Sequence, residues 1–229
     1  MKNYKNLREA IHKEGYIFIF IAIVITLLLS SINTNVSWLC FLATCFVIFF
    51  FRNPDRVTPN NDNLVIAPAD GLIVDISEAT PPEELNIVNP MRKISIFLNI
   101  FNVHVNRIPI SGRVVALNYH AGKFLNASLD KASILNERQS VLLEHASKTQ
   151  IVVVQIAGLI ARRIVCDLEK DAEVFAGARF GIIRFGSRVD VYLPLNVEVL
   201  VAKGQTAIGG ETVLANLSSL NAQQEFVMR

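Results

Sequence analysis

Two apolar runs constrain this chain more than anything else in it: residues 17–32, IFIFIAIVITLLLSSI, and residues 36–51, VSWLCFLATCFVIFFF, parted only by Asn33-Thr34-Asn35. Neither run shows a polar face at helical period, so neither reads as the amphipathic helix of a soluble domain, and a buried helical pair in a soluble core also loses on length. They read as a helical hairpin in a membrane. A 16-residue helix rises about 24 Å, short of a bilayer core of about 30 Å, so two thin spans or a hairpin within one leaflet both fit. A cleaved signal peptide is disfavoured because a second apolar core follows the first at once. Lys2, Lys5, Arg8 and Lys13 precede the first run, Arg52 and Arg56 follow the second, and the turn has no Lys or Arg. That asymmetry places both ends, and the domain that follows, on the cytoplasmic side of the cell membrane.

The 52% hydrophobic content of the 229 residues is concentrated before residue 52, and the remainder is long enough for one domain with its own core. A net charge of +2, without interleaved basic and aromatic residues, argues against a nucleic-acid partner. The three cysteines form no CxxC pair, which argues against a disulfide framework and fits a reducing compartment. No His/Cys/Asp/Glu cluster has metal-ligand spacing, and there is neither a Gly-rich phosphate loop nor a GxSxG elbow.

The segment 53–63, NPDRVTPNNDN, reads as a linker, which divides the chain into a hairpin at 1–52 and a domain at 64–229. In that domain short β-branched runs alternate with turn residues: Leu64 to Ile66, Gly71 to Ile76, Ile94 to Phe97, Gly112 to Ala116, Gln150 to Gln155, Ile164 to Asp167 and Val189 to Leu193. A helix is expected over Asp130 to Arg138, and a loose tail from Leu217 onward. Val174-Phe175-Ala176-Gly177 resembles Val201-Ala202-Lys203-Gly204, and with Ala67-Pro68-Ala69-Asp70-Gly71 it is similar to the hairpins of barrel-sandwich domains. The expected fold is mainly β with few helices (α+β), barrel-sandwich-like, behind a membrane hairpin.

Five segments in order, Phe51-Arg52-Asn53-Pro54, Pro68-Ala69-Asp70-Gly71, Asn102 to Pro109 (NVHVNRIP), Asn136-Glu137-Arg138 and Phe185-Gly186-Ser187, resemble the short form of the phosphatidylserine decarboxylase proenzymes over roughly residues 50 to 215. The resemblance implies a membrane-associated carboxy-lyase of phospholipid biosynthesis that converts phosphatidylserine to phosphatidylethanolamine and carbon dioxide. It implies a zymogen that cuts itself between Gly186 and Ser187 into a β chain (1–186) and an α chain (187–229), with a pyruvoyl cofactor derived from Ser187. A homodimer is the oligomer it implies.

The residue types suit that chemistry. Gly186 tolerates a backbone conformation that a β-carbon would strain, and its carbonyl can be approached closely. The Ser187 hydroxyl attacks that carbonyl and turns the amide into an ester; elimination gives dehydroalanine, which hydrolyses to pyruvoyl and ammonia. A serine hydroxyl needs a base, and the base an orienting carboxylate, roles for which His104 and Asp70 are expected. In turnover the resemblance implies a Schiff base with the substrate amine, an electron sink for the decarboxylated carbon, and a proton returned by His104. Longer relatives carry a second histidine where this chain has Arg107. Each residue also has a structural role open to it: Asp70 as a turn former, His104 as a core histidine between Val103 and Val105. Arg107, Arg138, Arg162 and Arg163 are the expected substrate-binding cations for the phosphodiester, with a structural ion pair as each one's alternative. His12, His120 and His145 lie outside the motifs.

Other pyruvoyl decarboxylases act on soluble amine-bearing acids, for which a membrane tether gains nothing. A non-enzymatic membrane-anchored barrel-sandwich adaptor would account for the anchor but not for the Gly-Ser pair with its Asp and His segments, and its coiled-coil heptads are missing. Lys203 is the nearest approach to a carrier-type lysine.

Overall fold

In the computed structural model, which describes residues 10–125, 135–158, 163–184 and 186–220, the two apolar runs form α1 (Tyr16–Ser30) and α2 (Thr34–Phe50). Asn33 separates them. Its backbone is extended, and its Oδ1 accepts the backbone N–H of Asn35 and Val36 at 3.0 and 3.2 Å, capping α2. The Thr26 and Thr44 hydroxyls meet at 3.0 Å between the helices, and each lies 2.8–2.9 Å from the i−4 carbonyl of its own helix, Ala22 O and Cys40 O. Polar groups paired in this way need no water, as a lipid environment demands. The open end of the hairpin is tied by His12 N–H to Phe51 O and Asn53 N–H to Ala10 O, at 2.8 and 2.7 Å. Phe20, Leu27, Leu28, Trp38, Leu39 and Leu42 are 62–69% exposed, far more apolar surface than water tolerates on so few residues. Residues 13–30 make one helical stretch long and apolar enough to cross a membrane, and Thr34–Phe50 is a shorter apolar helix.

The chain divides into two compact units, Met1–Asp55 and Arg56–Arg229. The second is mainly β. Its strands are β1 (Leu64–Ile66), β2 (Gly71–Ala79), β3 (Met91–Leu98), β4 (Val105–Arg107), β5 (Gly112–His120), β6 (Arg138–Glu144), β7 (Gln150–Ile156), β8 (Ile164–Cys166), β9 (Glu173–Val174), β10 (Arg179–Ile183), β11 (Ser187–Leu193), β12 (Val197–Val199), β13 (Thr206–Ala207) and β14 (Val213–Leu220). An eight-stranded antiparallel sheet runs β13-β2-β3-β11-β7-β6-β5-β9, curled into a half-barrel, and two three-stranded sheets run β1-β14-β12 and β4-β10-β8. Register shifts in β2 between Ile73 and Asp75, and in β5 between Val114 and Ala116, are bulges of the kind that curl a sheet.

Strand alternation assigns the two faces of the large sheet. Ile94, Ile96 and Leu98 of β3, Val189, Val191 and Leu193 of β11, and Ile151 and Val153 of β7 point inward. They pack with Phe180 and Ile183 of β10 and with Val65, Leu214 and Ala215 of the β1-β14 pair. The main core therefore lies between the large sheet and the two small ones. The other face carries Leu142, Val152, Val154, Ile156 and Tyr192, covered by Leu85 from a 3-10 turn at Glu83–Leu85. Glu84 ties that turn down: its carboxylate accepts Arg138 Nε and Nη2, both at 2.8 Å, and Ser140 Oγ at 2.9 Å, while its carbonyl accepts Asn118 Nδ2 at 3.0 Å.

Every strand expected from sequence forms, most of them longer at one end. The strands not expected from sequence are the short β4, β9, β12 and β13, β6 and β14, which overlap the expected helix and tail, and the five-residue β10. Of the expected helix over 130–138, residues 130–134 lie outside the described residues, and Arg138 opens β6. Of the expected tail over 217–229, residues 217–220 continue β14, and 221–229 lie outside the described residues. Residues 56–63, read as linker, are held to the β unit by the Arg56–Asp70 ion pair and by Val57 N–H to Glu211 Oε1 at 3.2 Å. The two similar VxxG segments end alike, with Gly177 and Gly204 at φ 79° and 90°, where a β-carbon would be strained.

Candidate active site

The C-terminal end of β3 gathers the sequence motifs. On one side β2 begins at Gly71, directly after Asp70, with Leu72 paired to Phe97. On the other side β11 begins at Ser187, paired to Leu98. Asp70-Gly71 and Gly186-Ser187 thus flank the same strand end, two interstrand spacings or about 10 Å apart. A β-carbon on Gly71 would collide with the Phe97 carbonyl, so glycine is required where β2 enters the sheet. From Leu98 the chain turns through 99–103 to His104, whose carbonyl accepts the N–H of Ile183, three residues before Gly186.

Gly186 sits at φ +32°, a value L residues rarely adopt, and among the described residues no atom lies within 4 Å of the position a β-carbon would take. The φ value is thus the observed reason for glycine there. Ser187 is 0% exposed, and among the described residues its Oγ has no hydrogen-bond partner. Buried hydroxyls are nearly always paired, so one without a partner among the described residues calls for an explanation; Ser95 Oγ in β3 is in the same state, and only Ser187 adjoins a glycine at positive φ. By strand alternation Ser187 shares the inward face with Val189.

His104 is 0% exposed. Its Nδ1 lies 3.0 Å from the Asn102 carbonyl oxygen. A carbonyl only accepts, so Nδ1 carries the proton of the neutral ring and Nε2 is its basic nitrogen. The Asp70 carboxylate accepts Arg56 Nη2 at 2.9 Å on Oδ1 and 2.7 Å on Oδ2, and Gly209 N–H at 2.8 Å on Oδ1. Arg56 and Asp70 side chains are 14% and 17% exposed; the ion pair ties the Pro68–Gly71 turn to the segment at Arg56, and the Gly209 bond ties it to the loop before β14. The carbonyl of Asn102 and the guanidinium of Arg56 are thus direct partners of the two residues that sequence reading had coupled to each other.

The arginines separate. Arg107 is buried, with Nη1 donating to the Gly177 carbonyl at 2.8 Å. Arg138 is buried in the Glu84 pair, opposite Ile156 and hence on the face of the sheet away from Ser187. Arg163 is exposed, and Arg162 lies outside the described residues. Burial works to raise the Glu84 carboxyl, but the hydrogen bonds from Arg138, the backbone and Ser140, with the Arg138 charge, outweigh it and bring the pKa down to about 2.

Three features were not read from the sequence. Arg56, which clasps Asp70, stands in a segment that looked like linker. Arg188 and Asp190, 2% and 0% exposed, form a two-point ion pair at 2.8 and 2.9 Å on the face of β11 opposite Ser187. Asn106 and Gln155 form a fully buried amide pair on the inward side, Gln155 Nε2 donating to Asn106 Oδ1 at 2.8 Å. A polar residue breaking an otherwise apolar strand, as Gln155 does in QIVVVQI, is the signal that could have found the last.

The sequence model of the phosphatidylserine decarboxylases matches residues 43–215. A protein of Rickettsia typhi described as phosphatidylserine decarboxylase proenzyme is 59% identical over 225 residues, covering 98% of this chain and 97% of that protein. Proteins with the same description from Rickettsia akari and Rickettsia felis are 61% and 62% identical over 217 residues, covering 94% of each chain. The matched span takes in the Asp70 turn, His104 and the Gly186-Ser187 bond, the segments that the fold brings to one end of β3, and the chain belongs to the phosphatidylserine decarboxylase family.

Proposed function

We propose that this chain is a membrane-anchored proenzyme that cuts itself between Gly186 and Ser187 and then decarboxylates phosphatidylserine to phosphatidylethanolamine, using a pyruvoyl group made from Ser187. The observation that carries this reading is the Gly186-Ser187 bond: a glycine at φ +32° joined to a buried serine whose Oγ has no partner among the described residues. In the cut, Ser187 Oγ bonds to the Gly186 carbonyl carbon, the Gly186–Ser187 C–N bond breaks, and the Oγ proton passes through His104 to the freed nitrogen. Removal of the Ser187 Cα proton then breaks the Cβ–O bond, releasing Gly186 as a carboxylate. One water converts the resulting enamine at 187 to a ketone and releases ammonia.

The residues present fit a carbonyl group at 187, since its precursor is buried and its strand lies among apolar neighbours. That group supplies an electron sink for the pair left behind as carbon dioxide departs. The basic Nε2 of His104 carries the proton in both stages. Asp70, clasped by Arg56 and Gly209, fixes the turn beside the reacting bond. Arg162 and Arg163, ahead of β8, are the cations for the phosphodiester, while Arg107 holds the Gly177 turn. The α1-α2 hairpin anchors the enzyme in the membrane with the catalytic unit on the cytoplasmic side. The test is the intact mass of wild type and Ser187→Ala: two fragments ending and starting at 186 and 187 from wild type, and a single uncut species of 25.5 kDa from the variant. Fragments from Ser187→Ala would refute it.

A further inference from the structure

The Asn106–Gln155 pair lies beside the reacting bond. Asn106 is two residues beyond His104, so both side chains leave the same side of the chain. Gln155 stands opposite Val189, two positions along β11 from Ser187 and on the same inward face. Diagonal neighbours of this kind lie about 7–8 Å apart, within reach of a small ligand held at 187. Both side chains are 0% exposed, and among the described residues Asn106 Nδ2 and Gln155 Oε1 have no hydrogen-bond partner. Exchanging O and N on both amides gives the same result, one donor and one acceptor unused. Such groups destabilise a core unless something completes them.

We infer that this pair is the amino-acid end of the headgroup site, its free donor holding the substrate carboxylate and its free acceptor taking the substrate N–H. This rests on the decarboxylase reading of the Gly186-Ser187 site. An α-amino acid head presents one N–H donor and one carboxylate acceptor on the same carbon, the complement of what the two amides leave open. Neutrality matters as well. A guanidinium would stabilise the carboxylate in the ground state and lose that interaction as neutral carbon dioxide forms, raising the barrier, whereas a neutral amide among apolar strands orients the carboxylate with little such penalty.

The experiment uses the full-length protein in phospholipid micelles, comparing wild type with the isosteric Asn106→Asp and Gln155→Glu, either of which faces the carboxylate with an anion. Self-cleavage is followed by gel. Amine capture at position 187 is followed by cyanoborohydride trapping, read as the mass of the 187–229 fragment, with phosphatidylserine and with carboxylate-free phosphatidylethanolamine. Both variants are expected to cut themselves, to capture phosphatidylserine at least ~10-fold more slowly, and to capture phosphatidylethanolamine within ~2-fold of wild type. Gln155→Glu should regain phosphatidylserine capture as pH is lowered through its own titration. Parallel loss for both lipids, unchanged capture of both, or variants that stay uncut would each overturn the inference. Should the isosteric variants fail to fold, Asn106→Ser is held to the same split between the lipids. No fragment starting at 187 from the wild type would instead sink the self-cleavage reading.

Discussion

Glu84→Gln is the substitution whose consequence can be worked most fully from the structure. The Glu84 carboxylate receives two bonds from Arg138 and one from Ser140, and the Arg138 side chain is 8% exposed. The amide keeps the shape, removes the charge and turns one acceptor into a donor facing donors. Breaking a fully buried pair from one side costs about 3–5 kcal/mol; with the Glu84 side chain still 19% exposed, solvent reduces this to about 2–3 kcal/mol. The pH dependence has a definite sign. Glu84 is depressed from 4.5 to about 2 in the fold, so its contribution is complete above pH 4.5 and is lost as pH falls towards 2. Urea unfolding of the detergent-solubilised chain, with Ser187→Ala in both proteins so that one uncut chain unfolds, should show the full gap at pH 7 and a shrinking one between pH 4.5 and pH 3. A gap below about 0.5 kcal/mol at neutral pH, or one as large at pH 3 as at pH 7, would refute the reasoning. The same pair of proteins bears on Arg138, since an Arg138→Gln variant that raises KM for phosphatidylserine tenfold without loss of stability would restore it as a lipid ligand.

Gly186→Ala should slow self-cleavage while leaving the fold intact: among the described residues no atom obstructs the new methyl, but holding alanine at φ +32° costs about 1–2 kcal/mol. Cleavage at the wild-type rate, followed by gel, would show that the φ value is incidental. Asp190→Asn removes the charge that Arg188, 2% exposed, contacts at two points and should lower stability by about 3–5 kcal/mol; a urea midpoint within error of wild type would contradict it. After cleavage the 187–229 fragment should co-elute with 1–186 in size-exclusion chromatography, even at 1 M salt. Its strand β11 pairs with β3 at seven positions and β7 at five. Burial of Val189, Val191, Tyr192 and Leu193 adds about 6–12 kcal/mol. A separate 187–229 peak would contradict the strand order.

The hairpin and the strands announced themselves because their signals are local: apolar runs without a polar face, and β-branched runs between turn residues. The site was legible for a different reason. Asp70, His104 and Ser187 stand in distinctive short motifs, so their types could be read without knowing that β3 would bring them together. Their partners could not. Arg56 finds Asp70 across 14 residues, Gln155 finds Asn106 across 49, and Glu84 finds Arg138 across 54, distances at which a single sequence has no local pattern to offer. Arg107 and Arg138 show the same limit from the other side. Sequence marks them as cations suited to a phosphate, and only burial reveals that a carbonyl and a carboxylate already hold them.

The position of the proposed scissile bond within the large sheet accounts for how a chain cut there would remain a catalyst. Ser187 is the first residue of β11, so the peptide proposed to break precedes the ladder, and the pairing from Arg188 to Leu193 is left in place. Its side chain faces the interior, the face that Gln155 of β7 shares, while the next residue turns Arg188 to the opposite face, where Asp190 grips it at two points. One strand thus presents a reactive end to one side and a charged anchor to the other. A cut a few residues later would fall within β11, between β3 and β7, and a serine displaced by one residue would face the Arg138 layer instead of the core. Alternation along β11 is therefore what confines the chemistry to a single residue.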